Sequence, residues 1–187
     1  MADLDLLSSY LKSISRRYKS SLKVTHINAQ SLNDTAHFFE FKKVFCDSSF
    51  DLVAVSETFF NDSCKTDIPN FNVFHVNREK RTGGGVAVYV LNSLGAKVVA
   101  TSDGEPHKPE FILLEVQCQT NKILVSCAYR PPKIGFMESF VNEMYKYLPQ
   151  YKYAILIGDL NARFGSGSFE TGNVEEYLSL CSLTSIP

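Results

Sequence analysis

Several signals are missing from this 187-residue chain, and each absence removes a class of protein. The five cysteines, Cys46, Cys64, Cys118, Cys127 and Cys181, are odd in number and contain no Cys-x-x-Cys pair. That excludes a disulfide framework and a zinc site of the usual spacing, and points to a reducing compartment. The first residues have no charged start leading into an apolar run, so no secretory signal is expected. No apolar stretch is long enough to span a bilayer. These absences point to an intracellular protein, nuclear or cytoplasmic, with no membrane partner. An excess of basic charge is also missing: 19 Lys and Arg face 20 Asp and Glu, for a formal net charge of -1. The composition therefore gives nucleic-acid binding weak electrostatic support.

What is present is an ordinary globular composition, 44% hydrophobic and 21% charged, of a length that suits one domain. The most informative stretch is Tyr153-Ala-Ile-Leu-Ile-Gly-Asp-Leu-Asn161. Its unbroken apolar run predicts a strand covered on both faces, ending in a glycine turn. Asp159 and Asn161 are two residues apart, so in extended chain they share a side. A carboxylate that can hold a metal or activate water, beside an amide that can orient an oxygen, is what a hydrolytic site needs. The plain alternative is turn chemistry, since Gly, Asp and Asn dominate turns.

Other strand-like runs end in polar residues too. Leu22–Ile27 ends at Asn28, Asp51–Ser56 is followed by Glu57, and Lys122–Tyr129 closes on Tyr129. Helical spacing predicts helices over about 3–18, over 35–46 with Asn33 or Asp34 as cap, over 136–148, and near 174–183. Further strands are expected at 71–76, from the Gly83-Gly84-Gly85 run through Leu91, at 97–101, and in a hairpin of 110–117 with 122–129 turning at 119–121. The mixture reads as an α/β protein of two packed sheets with helices outside. The glycine run is no phosphate-cradling loop, because it lacks the following Lys-Ser/Thr and precedes a strand. Arg78, Lys80 and Arg81 cluster ahead of it, and Arg130 follows Tyr129; guanidinium forks suit phosphate. Of the four histidines, His26 shares a strand face with Asn28, while His37 and His75 read as surface or satisfied core residues.

Four motifs in order carry a resemblance: His-Ile-Asn-Ala-Gln-Ser-Leu at Asn28, Ala-Val-Ser-Glu-Thr at Glu57, Ala-Tyr-Arg-Pro-Pro at Tyr129, and Gly-Asp-Leu-Asn at Asp159 and Asn161. Together they resemble the endonuclease/exonuclease/phosphatase superfamily, which includes DNase I and the AP endonucleases. With Arg81-Thr-Gly-Gly-Gly-Val-Ala-Val-Tyr89 they look most like the endonuclease domain of jockey-like non-LTR retrotransposons. The resemblance covers about residues 22–187, with residues 1–21 a helical extension in front. It implies a DNase I-like four-layer α/β/β/α sandwich, incomplete at the C-terminus. It also implies phosphodiester hydrolysis with Mg²⁺ (or Mn²⁺), DNA as the partner, and a reverse transcriptase downstream in the parent polyprotein. Carried over, Glu57 is the main metal ligand, Asn28 supports the metal or the phosphate, and Tyr129 hydrogen-bonds the scissile phosphate. Asp159 positions or deprotonates water and Asn161 holds a phosphate oxygen, with Arg130, Arg78 and Arg81 as phosphate or DNA contacts. The family's closing Asp-bearing strand and Ser-Asp-His motif do not occur in these residues. The expectation is therefore that this polypeptide nicks DNA poorly or not at all, the alternative being a catalytically dead remnant that acts as a binding module or has no selected role.

Overall fold

A computed structural model of the chain describes residues 6–186 apart from 7–8, 14–16, 19, 47, 79–82, 106, 133–136 and 165–166. The first sheet holds β1 (Val24–Asn28), β2 (Leu52–Ser56), β3 (Phe71–Val76) and β4 (Val86–Leu91), in the order β1-β2-β4-β3. The second holds β5 (Gly95–Thr101), β6 (Glu110–Cys118), β7 (Asn121–Tyr129) and β8 (Tyr153–Asp159), in sequential order. The layers outside the sheets include α1 (Thr35–Cys46), α2 (Glu138–Tyr147) and α3 (Phe169–Leu180).

Strand alternation builds the layers. Along β2 and β4, Val53, Val55, Ala87 and Tyr89 pack on Phe41 and Phe45 of α1. The residues between them, Leu52, Ala54, Val86, Val88 and Val90, face the other sheet. There they meet Ile112, Leu114, Val125 and Cys127. The remaining side chains of β6 and β7, Phe111, Leu113, Leu124 and Ala128, pack against Phe140 and Met144 of α2 and Val174 of α3. Because β2, β4 and the middle of β6 and β7 are covered on both faces, they read as continuous apolar runs. The result is the α/β/β/α sandwich that the sequence implies.

Each sheet contains one parallel pair made by a helical crossover. β1 and β2 are joined through α1, and β7 and β8 through α2. The Asp34 carboxylate caps α1 by accepting from Ala36 N and His37 N at 2.9 and 3.0 Å. Ser168 Oγ caps α3 by accepting from Thr171 N at 3.2 Å. That cap starts α3 five residues before Val174, where the apolar periodicity alone places it.

One sequence expectation changes at β8. Its faces are packed, Ile157 toward the intersheet core and Leu156 toward the helical layer. Its outer backbone edge has no neighbouring strand among the described residues, so the run is half-buried along its length. At the other end of the chain, residues 9–13 are helical and Leu11 packs on the core beneath α1. Much of the helix expected over 3–18, Leu7, Ile14 and Arg16 included, lies outside the described residues. Among the described residues no helix is long and apolar enough to cross a membrane.

Candidate active site

The carboxyl ends of the two parallel pairs meet at one end of the sandwich, and the predicted polar residues meet with them. Asn28 ends β1, Glu57 follows β2, and Tyr129 and Asp159 end β7 and β8 side by side in register. Asn28 sits at the junction. Its Nδ2 donates to Glu57 Oε1 at 3.1 Å and to Asp159 Oδ2 at 2.8 Å, while its Oδ1 accepts from Gln30 N at 3.2 Å. One amide thus spans two carboxylates carried by different sheets. Its two N–H groups are what a carboxylate pair needs to sit close without a proton between them.

Tyr129 is 6% exposed, and its ring lies in the field of the Glu57 carboxylate. Burial first, and then the nearby Glu57 carboxylate, push the phenol well above its ordinary pKa. The hydroxyl therefore stays protonated and acts as a donor. His26 is partly buried with Nε2 3.1 Å from Ser56 Oγ. Burial lowers its pKa and the Asp159 charge partly opposes this, so the imidazole is held toward its neutral form.

The turn after β8 departs from simple alternation. Asn161 takes φ +46°, and its backbone N–H donates to Asp159 Oδ1 at 2.9 Å. Its side-chain amide donates to the Arg130 carbonyl at 2.8 Å. Asn161 is thus both a turn former and a brace for Asp159, and its side chain is occupied by backbone. Gly158 is required here for a steric reason: at φ +151° a Cβ would lie 1.8 Å from the Ala128 carbonyl oxygen on β7.

The arginines fall differently from their expected phosphate-facing places. Arg130 is 1% exposed, with Nε donating to the Leu160 carbonyl at 2.5 Å and Nη2 to the Asn161 carbonyl at 2.8 Å. The guanidinium fork fastens the turn that bears Asp159, and reaching phosphate would mean leaving those carbonyls. Arg78 pairs with Glu110, its Nε donating to Oε1 at 2.6 Å. Arg81 and Lys80 lie outside the described residues. His37 sits on α1 and His75 packs edge-on to Phe60 with Nδ1 3.0 Å from Asn77 Oδ1, both away from the junction of strand ends.

Sequence reasoning missed Glu110. Counting back from the hairpin turn pairs Cys118 with Asn121 and therefore Glu110 with Tyr129, so the register held the signal. A charge opposite a site tyrosine, at the head of an apolar strand, is 2% exposed here.

Residues 6–179 match the model of the Endonuclease/Exonuclease/phosphatase family. No curated protein matches the chain in sequence. Among solved structures, the fold is similar to the endonuclease domain of TRAS1, a telomere-specific non-LTR retrotransposon, with a TM-score of 0.60 and 14% identity over 84% of this chain and 71% of that one. It is similar to an AP endonuclease from Archaeoglobus fulgidus, with a TM-score of 0.58 and 16% identity over 86% of this chain and 71% of that one. A third similar structure is the 3′ phosphatase NExo from Neisseria bound to product DNA hairpin, with a TM-score of 0.58 and 14% identity over 86% and 71% of the two chains. At these identities the likeness is one of fold, and the family match over nearly the whole length decides membership: the chain belongs to the endonuclease/exonuclease/phosphatase family.

Proposed function

We propose that this chain is a divalent-metal-dependent DNA endonuclease domain of the kind that nicks one strand to begin retrotransposon insertion. Family membership supports phosphodiester hydrolysis as the chemistry. The observation that carries the site is the Asn28 amide bridging Glu57 and Asp159. The DNA substrate and the retrotransposon role rest on the ordered motifs and the Gly-Gly-Gly strand, and a reverse transcriptase in the parent polyprotein is the partner that reading requires.

The donor set fits Mg²⁺ or Mn²⁺. Among the described residues no group of three or more His, Cys, Asp and Glu side chains could hold a metal, so a closed cage is lacking. Glu57, Asp159 and Asn28 offer oxygen donors without sulfur, and a hard cation that keeps water and substrate phosphate in its shell needs only one or two carboxylates. Glu57 would hold the ion, with Asn28 fixing its carboxylate relative to Asp159. A bound Mg²⁺ supplies neutralisation of charge on the phosphate oxygens. Asp159 orients and deprotonates the attacking water, braced by Asn161. Tyr129, kept protonated, donates to a non-bridging oxygen, where donors aimed at developing charge have their effect.

The test is relaxation of supercoiled plasmid and hydrolysis of an activated phosphodiester, each with Mg²⁺ and with Mn²⁺. The four histidines lie in no Ser-Asp-His context, so the expected rate is low. Activity that disappears in Glu57→Gln and Asp159→Asn supports the proposal. Activity untouched by both substitutions, or none with either metal, defeats it and leaves the binding-module reading.

A further inference from the structure

Glu57 stands on backbone held by a third carboxylate. The residue takes φ +55°, a left-handed conformation uncommon for a side chain of its size. The two residues after it are tied to the glycine run, Thr58 N donating to the Gly85 carbonyl at 3.3 Å and Phe59 N to the Gly84 carbonyl at 2.9 Å. The glycine run is tied in turn to Glu110. Gly85 N donates to Glu110 Oε2, and Arg78 donates through Nε and Nη2 to Oε1. A side chain at either glycine would have to displace its neighbours and adopt a positive φ, +75° at Gly84 and +88° at Gly85. A Cβ on Gly84 would lie 2.6 Å from both Arg78 Nη2 and Glu110 Oε1, and one on Gly85 would lie 2.4 Å from Thr58 Oγ1.

A carboxylate as buried as that of Glu110 is costly unless its charge is matched and its lone pairs are filled. Arg78 matches the charge, and the two oxygens divide between the guanidinium and a backbone N–H. Apolar residues could close the end of a strand equally well. What the carboxylate adds is a fixed acceptor that decides where Gly85, and through it Glu57, is placed.

We propose that Glu110 is a positioning residue for Glu57: clamped by Arg78, it pins the Gly84-Gly85 backbone from which the Glu57 turn is suspended. The inference rests on the reading of Glu57 as the metal-holding carboxylate. It makes Arg78 the counter-ion of Glu110 and not a phosphate contact.

The test compares wild type, Glu57→Gln, Glu110→Gln and Arg78→Lys by Mn²⁺ titration, following the electron paramagnetic resonance signal of the free ion, together with a crystal structure of Glu110→Gln. Glutamine keeps the volume and one acceptor oxygen where two are used. The expected result is Mn²⁺ affinity reduced about tenfold in Glu110→Gln, equivalent to one hydrogen bond's net contribution, with Glu57 displaced from its left-handed turn and unfolding still cooperative. Wild-type affinity with an unmoved Glu57 overturns the proposal. If Glu57→Gln leaves Mn²⁺ binding unchanged, the metal reading itself fails, and the crystal structure alone decides whether Glu110 places the turn. If Glu110→Gln does not fold, Arg78→Lys, which keeps the charge and loses the planar fork, is judged by the same two readouts.

Discussion

Asn28 and Asp159, 131 residues apart, are joined by a 2.8 Å hydrogen bond across the two sheets. The same amide nitrogen reaches Glu57, so truncating it leaves two carboxylates without the donor that lets them share a space. Asn28→Ala is expected to cut hydrolysis about 10²-fold, since a hydrogen bond to a charged group contributes about 1.5–3 kcal/mol and each 1.36 is tenfold. Plasmid nicking against metal concentration checks this. A loss confined to low metal would mean that the amide only spaces the carboxylates.

Tyr129 gives a cleaner separation. Its phenol is pushed up by burial and by Glu57, so it does not ionise at working pH. Tyr129→Phe should lower kcat about tenfold through one lost donor while leaving any alkaline limb of the pH profile in place. An alkaline limb that vanishes with the hydroxyl would show that it titrates.

His26 makes stability depend on pH. Its folded pKa lies below the ordinary value of 6.5, so the unfolded chain binds a proton more readily. Stability is then fully present above about 6.5 and falls as pH drops toward the folded value. Thermal unfolding between about pH 5 and about pH 8 should show a lower Tm on the acid side, and His26→Gln should flatten that dependence. An unchanged slope in the variant would assign the effect to other groups.

At Gly158 the constraint is steric. Gly158→Ala forces a methyl into the Ala128 carbonyl and should cost about 3 kcal/mol or prevent folding. Urea unfolding measures it, and a loss below about 1 kcal/mol would mean that β7 and β8 part easily.

The sequence disclosed local things well and distant things poorly. Apolar runs marked β2, β4, β6 and β7 because both faces of each are covered, and the cap of α1 was legible as Asn33 or Asp34, the structure choosing Asp34, because capping is chemistry between near neighbours. The site residues were legible as strand ends. Their mutual bonds were not, since nothing in a linear pattern says that Asn28 will touch Asp159. Composition also misdirects about charge. Arg130 and Arg78 look like phosphate contacts in a list of basic residues, yet one is buried on carbonyls and the other on a carboxylate. Asn161 left the strand period because its own side of the turn is left-handed.

The junction of Asn28, Glu57 and Asp159 draws on both halves of the chain and on both sheets. No subdomain, nascent fragment or half-opened sandwich can hold the whole of it, since the first sheet alone carries only the Asn28–Glu57 bond and Asp159 comes from the second. The catalytic apparatus would appear in a single event, when the two layers close, and would vanish in the same event on heating. Loss of activity and loss of global structure should therefore trace one curve, and a chain still folding would be harmless to DNA.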